Sequence, residues 1–441
     1  MAPRSIRSIP SLEDNARICK SLCVLMVPFK SIIRRIDVEE ISSIMRGNFL
    51  IITVCVALSQ SLVRMFFPYE SVYMKFLGAS SIALGMFFAI SRLVGAVMTI
   101  PGGYLSDAHG RKRVIIIGSF TTAAIRFLVA LSRDWRSYLI TCTLLSMSSF
   151  WNAAESALLV DSMRVSRRGL CFSIYWMVMQ LAGLISPYIG GIILETRGEE
   201  GLRLILLLVA IADTLRALIY AKFLEETLTI SRKVSAFNIR SLFAPLIDAF
   251  RILRVASRSI KGFCLLQVIN GFSWSMIMPF IILYALQVIS LSPSQWGFIS
   301  TIETVVILTL RIPGGILADR CSRKSLLLIA SLWDIGYFMV FINSRSFLQI
   351  FIAIIIRRIV LTLADPAWPA LQADLIPRRQ RGRVFSILNA LSAFSGFFGS
   401  IVGGYLFDMN PAFPFWFFIP LNFIGFLVLL SFIQEPQKPE E

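Results

Sequence analysis

A single histidine, His109, stands in 441 residues, which removes imidazole acid–base catalysis and histidine-ligated metal centres from consideration. Seven cysteines are present: Cys19, Cys23, Cys55, Cys142, Cys171, Cys264 and Cys321. Their number is odd and no pair has metal-ligand spacing, so they read as small apolar side chains or free thiols. No G-x-S-x-G elbow, H-E-x-x-H helix or Walker A phosphate loop occurs. The chain is therefore expected to be no enzyme, to hold no cofactor or metal, and to draw no energy from ATP hydrolysis. RNA-binding motifs and zinc-finger spacings are also missing, so the net charge of +17 does not point to nucleic acid.

Charge itself is scarce, at 16% of residues, whereas 56% are hydrophobic and the mean hydropathy is +0.74. Soluble domains average about 45–50% apolar residues. A bilayer core of about 30 Å needs about 20 apolar residues per helix. Twelve runs meet that need: 48–74, 80–104, 113–132, 136–161, 169–195 and 202–224, then 262–288, 293–317, 325–343, 346–373, 383–406 and 412–433. The expected fold is an all-α membrane bundle of twelve helices.

The basic residues gather on one side of these runs. Arg111, Lys112 and Arg113, Arg164, Arg167 and Arg168, Arg320, Arg323 and Lys324, and Arg378, Arg379, Arg381 and Arg383 share it with the basic N-terminus and central linker. The positive-inside rule puts that side, and both termini, in the cytoplasm of a multi-pass cell-membrane protein. The apolar stretch Leu22 to Phe29 is too short to span and has no small-residue cleavage site after it. Residues 1–46 therefore read as a cytoplasmic segment with an amphipathic surface helix around Phe29, Ile32, Ile33 and Ile36. The linker 226–261 offers a similar helix around Leu242, Leu246 and Phe250, and 435–441 is a short tail. These segments bracket two six-helix bundles, 47–225 and 262–434.

The two bundles are copies. PGGYLSDAHGRKR at 101–113 returns as PGGILADRCSRKS at 313–325. Asp161 aligns with Asp374, Gly183 with Gly396, and Gly190-Gly191 with Gly403-Gly404, at a constant offset of 212–213. Such parallel repeats enclose a cleft between halves.

Gly103, Asp107, Gly110, Arg111 and Lys112 resemble the loop between helices 2 and 3 of the major facilitator superfamily, roughly G-x-L-x-D-x-x-G-R-[RK]. The second copy keeps Gly315, Asp319, Arg323 and Lys324 but has Ser322 in place of glycine. Two copies, twelve runs and a basic central linker extend the resemblance over about residues 48 to 433. It implies two pseudo-symmetric six-helix bundles and a membrane transporter working by alternating access. Residues 183–191 are similar to the helix-5 G-P-x-x-G-G element of the drug/proton antiporter branch, through Gly183, Pro187, Gly190 and Gly191, with Ser186 replacing the glycine before proline. That element favours export; tight helix packing is the plainer reading of the same residues.

Arg111 or Lys112 can pair with Asp161, and Arg323 or Lys324 with Asp374. Asp107 and Asp319, where a helix leaves the membrane, can face another helix's N-terminus. Together with Gly103, Gly110 and Gly315 they form an expected conformational latch that holds the outward-facing state; plain topology-setting charge is the alternative. The resemblance implies that Asp107 reaches the other half near helix 11, and that helices 1, 4, 7 and 10 line the central cavity.

Ionisable residues inside a membrane are costly and are site candidates by default. Gln60 and Arg64, then Trp151, Asn152 and Glu155, then Gln267, Asn270 and Trp274, then Asp365 and Trp368 each share a helical face and form the expected substrate cavity. Arg64 either binds an anionic substrate or balances Glu155. Glu303, Asp365 and Glu155 are the candidates for proton coupling. Arg357 or Arg358 can instead hold Asp365 ionised, and a basic neighbour can do the same for Glu303. Arg126 and Asp213 are expected to pair. The expected function is proton-coupled export of a small organic or drug-like compound, by a monomer in a lipid bilayer. Proton-coupled uptake or facilitated diffusion of a sugar, nucleoside or organic anion is the alternative, and a receptor or scaffold is a third reading.

Overall fold

Long apolar runs bounded by charged loops form helices throughout, because in lipid each backbone N–H and C=O must be satisfied within its own segment. The structure, a computed structural model, describes residues 45–163, 167–227, 258–376 and 381–434, and no strand occurs among them. The surface helices expected around residues 29–44 and 242–254 lie outside the described residues.

The first half comprises α1 (Gly47–Phe76), α2 (Ser81–His109), α3 (Arg111–Leu131), α4 (residues 135–161), α5 (residues 168–197) and α6 (residues 199–223). The second comprises α7 (Arg258–Gln287), α8 (Pro293–Arg320), α9 (Arg323–Asn343), α10 (Phe347–Leu375), α11 (Arg381–Met409) and α12 (Phe413–Phe432). Among the described residues, ten helices are long and apolar enough to cross a membrane. One of them, the 56-residue stretch Arg168–Phe223, reverses at Gly198, whose φ of 56° only glycine adopts readily, and so holds both α5 and α6. The broken helix α4 completes twelve.

The breaks repeat like the sequence. Pro68 sits in a 3-10 turn, Phe67–Tyr69, that interrupts α1, and Pro279 sits in its counterpart, Met278–Phe280, in α7. α4 is interrupted by the 3-10 turn Ser148–Trp151, and α10 at Asp365 and Pro366. The fourth and tenth runs, expected as unbroken helices, are thus jointed at equivalent points. Apolar period survives a single 3-10 turn, so hydropathy alone does not reveal it.

Outward faces are apolar: Ile117, Leu131, Ile140 and Leu348 are 61–67% exposed, as suits contact with lipid. The largest apolar core lies at the end remote from the signature loops, here called the distal end. It crosses both halves, joining Tyr69, Tyr73 and Tyr138 to Phe280, Tyr284, Phe338 and Phe415. At the signature end, a core built from Phe263, Leu371, Leu388 and Leu429 belongs to the second half alone.

Candidate functional site

The joint in α4 turns its polar residues inward. A cavity of about 480 Å³ lies within the first half, lined by Gln60 and Arg64 of α1, Trp151, Asn152 and Glu155 of α4, and residues of α3, α5 and α6. Asp213 is its electrostatic centre. It pairs with Arg126 at 3.3 Å, as expected, and with Arg216 at 3.2 Å, and accepts the Ser59 hydroxyl at 2.6 Å. Arg216 also stacks its guanidinium over Trp151 at 5.0 Å, while Trp151 Nε1 donates to Thr122 at 2.9 Å. Glu155 accepts the Tyr220 hydroxyl at 2.6 Å. Arg64 does not balance Glu155 by direct pairing; it donates to Gln180 of α5.

The pseudo-equivalent cavity in the second half is smaller, about 240 Å³, and is lined by Asn270, Trp274 and Trp368 with Asp334, Ser331 and Asn422. The candidate residues thus divide between two cavities and do not line one. Gln267 and Asp365 line neither; Asp365 is exposed at the joint of α10. Neither Arg357 nor Arg358 forms an ion pair with Asp365. Arg357 pairs with Asp334 at 2.7 Å beneath Trp274 and Tyr337, and Arg358 pairs with Glu303 at 2.7 Å. Seven or eight residues along a helix is two turns, and a nearer carboxylate on the adjoining helix captures each guanidinium first.

A third cavity, about 320 Å³, lies between the halves, with Glu70, Ser91, Arg92, Ser275 and Ser400 in its wall. Glu70 accepts the Tyr138 hydroxyl at 3.0 Å. It is absent from the sequence-based candidates, although a carboxylate two residues after Pro68 inside the first apolar run was a readable signal.

At the signature end, Arg111 pairs with Asp161 and Arg323 with Asp374. Each arginine also reaches a carbonyl four residues before its aspartate, Ala157 O at 3.1 Å and Ala370 O at 3.5 Å. Both partners of each pair belong to one half, so these bridges tie α3 to α4 and α9 to α10 and do not themselves join the halves. The backbone N–H of Lys112 donates to Glu226, and Lys324 Nζ donates to Leu430 O at 2.7 Å. Asp319 is exposed, and Gly315 has open space where a Cβ would stand. The Gly103 and Asp107 positions lie outside the described side chains.

The helix-5 element is a contact surface. A Cβ on Gly183 would strike Arg64 Cδ at 2.4 Å, one on Gly190 would strike Met65 O of α1 at 2.0 Å, and one on Gly191 would strike Pro293 O of α8 at 2.4 Å. Pro187 O accepts from the Tyr69 hydroxyl at 2.8 Å, which also lies 3.0 Å from Pro293 O across the divide.

A family model described as Major Facilitator Superfamily matches residues 49–258 and 263–441. The chain belongs to that superfamily. Multidrug resistance protein MdtH of Salmonella paratyphi B is 25% identical over 376 residues, covering 83% of this chain and 88% of its own length. The uncharacterized MFS-type transporter MJ1560 of Methanocaldococcus jannaschii is 23% identical over 346 residues, covering 78% and 86%. Among solved structures, the nucleoside transporter NupG matches with TM-score 0.68 at 14% identity, covering 88% of this chain and 98% of that one. An inward-facing bacterial homolog of the human lysosomal transporter Spinster matches with TM-score 0.69 at 14% identity, covering 87% and 95%. At such identity these structures establish the fold. This superfamily member is a multi-pass membrane transporter of two six-helix halves.

Proposed function

We propose that the protein is a secondary active transporter that exports a small organic or drug-like compound in exchange for protons by alternating access, with its signature loops and both termini in the cytoplasm. The observation that carries this reading is the unequal closure of the two ends. The distal core runs through both halves, whereas among the described residues the signature-end core stays within one. A cavity set that adjoins the interface then has one sealed side. Gly103, Asp107, Gly110, Gly315 and Asp319 would complete the latch when the signature ends meet, on rims already stiffened by the Arg111–Asp161 and Arg323–Asp374 bridges. The relative MdtH is a multidrug resistance protein, which favours export of an organic compound.

Of the proton-coupling candidates, Glu303 is occupied by Arg358, while Glu155 holds a neutral hydroxyl and Asp365 is exposed. Coupling is therefore assigned to Glu155 or Asp365. Proteoliposomes with an imposed pH gradient and a compound panel test the reading. Gradient-driven flux that a protonophore abolishes is the expected result; flux indifferent to the gradient would leave facilitated diffusion.

A further inference from the structure

Three sets of guanidiniums and carboxylates within the helices pair off: Asp213 with Arg126 and Arg216, Asp334 with Arg357, Glu303 with Arg358. Arg64 and Arg92 are different. Arg64 donates from Nη2 to the Gln180 amide oxygen, and Arg92 donates to the hydroxyls of Ser275 at 2.5 Å and Ser392 at 3.3 Å. Among the described residues no carboxylate lies within ion-pair distance of either. Arginine does not shed its proton at accessible pH, so both remain cations held by neutral partners.

Their placement is matched. The Arg64 stem lies over Gly183 of α5, and the Arg92 guanidinium lies over Gly396 of α11, the residue 213 positions on. Both groups therefore sit at the same level of pseudo-equivalent helices. Arg64 lines the 480 Å³ cavity and Arg92 the 320 Å³ cavity, and Leu145 borders both, so the two spaces adjoin. The larger cavity carries three guanidiniums, Arg64, Arg126 and Arg216, against two carboxylates, Glu155 and Asp213. Arg64 is the one left over. In the smaller cavity the carboxyl of Glu70 is engaged by Tyr138 and stands beyond ion-pair reach of Arg92.

We propose that Arg64, assisted by Arg92, anchors a carboxylate or another oxyanion on an organic substrate whose apolar body rests on Val56, Val63, Trp176 and Met179. The physical demand is compensation: a cation within the membrane span is costly until an anion meets it, and a guanidinium fork matches an oxyanion bidentately. Neutral hydrogen bonds hold the fork in place and leave N–H groups for the ligand. This rests on the transport reading and names the substrate class of that site.

The test is equilibrium binding to the full-length protein in lipid nanodiscs at neutral pH, followed by tryptophan fluorescence and by calorimetry. The probes are three matched pairs, 2-naphthoate, 4-biphenylcarboxylate and cinnamate, each with its primary amide. At least one carboxylate is expected to bind about tenfold or more tightly than its own amide. Arg64→Gln is expected to remove that preference, Arg64→Lys to keep part of it, and Arg92→Gln to weaken it. Arg345→Gln, in a remote loop, serves as control and should change nothing. The matched pairs on the unaltered protein need no variant to fold. If no carboxylate outbinds its amide, or if folded Arg64→Gln retains the preference, the proposal is overturned. Carboxylate binding without transport in proteoliposomes would count against the transport reading and leave the anion site standing.

Discussion

Asp408 and Glu195 occupy equivalent positions 213 residues apart, and each caps the first turn of a helix in the opposite half. Asp408, at the end of α11, accepts the backbone N–H groups of Ser81 at 3.1 Å and Ile82 at 3.3 Å, which open α2. Glu195, at the end of α5, accepts the N–H of Ser294 at 3.3 Å, which opens α8. Ser81 and Ser294 are themselves 213 apart. The first N–H groups of a helix have no partner within it and carry the positive end of its dipole, so a carboxylate from across the divide satisfies both needs. Both interfaces between halves are thus fastened at the distal end by the same device.

Neutralising these carboxylates should release that end. An amide oxygen still accepts the N–H, so Asp408→Asn with Glu195→Gln removes only the charge–dipole part, about 0.3–1 kcal/mol at each cap, and should move the closed-to-open ratio by roughly tenfold. Spin labels in the two distal loops, one per half, read the outcome by pulsed dipolar spectroscopy. A broader, longer distance distribution is expected in the double variant. Unchanged distances would mean that the apolar core alone holds the end shut.

The repeated glycine pairs divide their labour. Gly190 and Gly403 seat on helices of their own half, Met65 O and Met276 O, where a Cβ would fall 2.0 and 2.1 Å away. Gly191 and Gly404 seat on the opposite half, against Pro293 O and Ser81 O, both at 2.4 Å. Alanine at any of the four forces backbones apart, at a cost of about 1–3 kcal/mol. Gly190→Ala and Gly403→Ala should lower thermal stability with little change in distal-loop distances. Gly191→Ala and Gly404→Ala should lengthen those distances, because the strain falls between the halves.

Much of this was legible before any coordinates. Hydropathy located all twelve helices, and the constant offset aligned Asp161 with Asp374 and Gly190 with Gly403. Similar depth on helices 3 and 6, which the family resemblance sets outside the cavity-lining helices, also brought Arg126 to Asp213. What hydropathy missed depends on local geometry or on neighbours across helices. The 3-10 joints keep the apolar period, the reach of Arg357 and Arg358 is set by how α10 rests on α8 and α9, and the caps at Ser81 and Ser294 involve backbone groups that no side-chain pattern displays.

The assignment of Glu303 to a structural pair separates it from the coupling carboxyls. Removing its charge leaves Arg358 uncompensated in a partly exposed site, a loss of about 1–2 kcal/mol after solvent screening. Glu303→Gln should therefore lower thermal stability, and the double variant Glu303→Gln with Arg358→Gln should recover part of the loss. The pH profile of transport should keep its shape in both. Asp365→Asn or Glu155→Gln should instead flatten that profile while stability changes little. If Glu303→Gln flattened it, the coupling site would have to be moved to α8.

The one departure of the second signature loop from the pattern, Ser322 in place of glycine, has a structural reason that can be tested by exchange. Gly110 has φ of +89° and no side chain, so Glu226 reaches in to accept the N–H of Lys112 at 3.0 Å and caps α3. Ser322, its counterpart, has φ of −58° and caps α9 with its own hydroxyl, which accepts the N–H of Ser325 at 3.2 Å. Ser322→Ala should cost about 1 kcal/mol through the lost cap, and Glu226→Gln less, since an amide oxygen still accepts. Gly110→Ser should cost more than either, because φ is unfavourable for any L side chain and its Cβ would approach Glu226 Oε2 to 2.8 Å. Ser322→Gly should be the mildest, a few tenths of a kcal/mol, since glycine itself is tolerated at this position of a helix. Melting temperatures of the four variants in one detergent give the order directly. A Gly110→Ser protein as stable as the parent would show that the Glu226 cap, and not the backbone conformation, fixes the turn between α2 and α3.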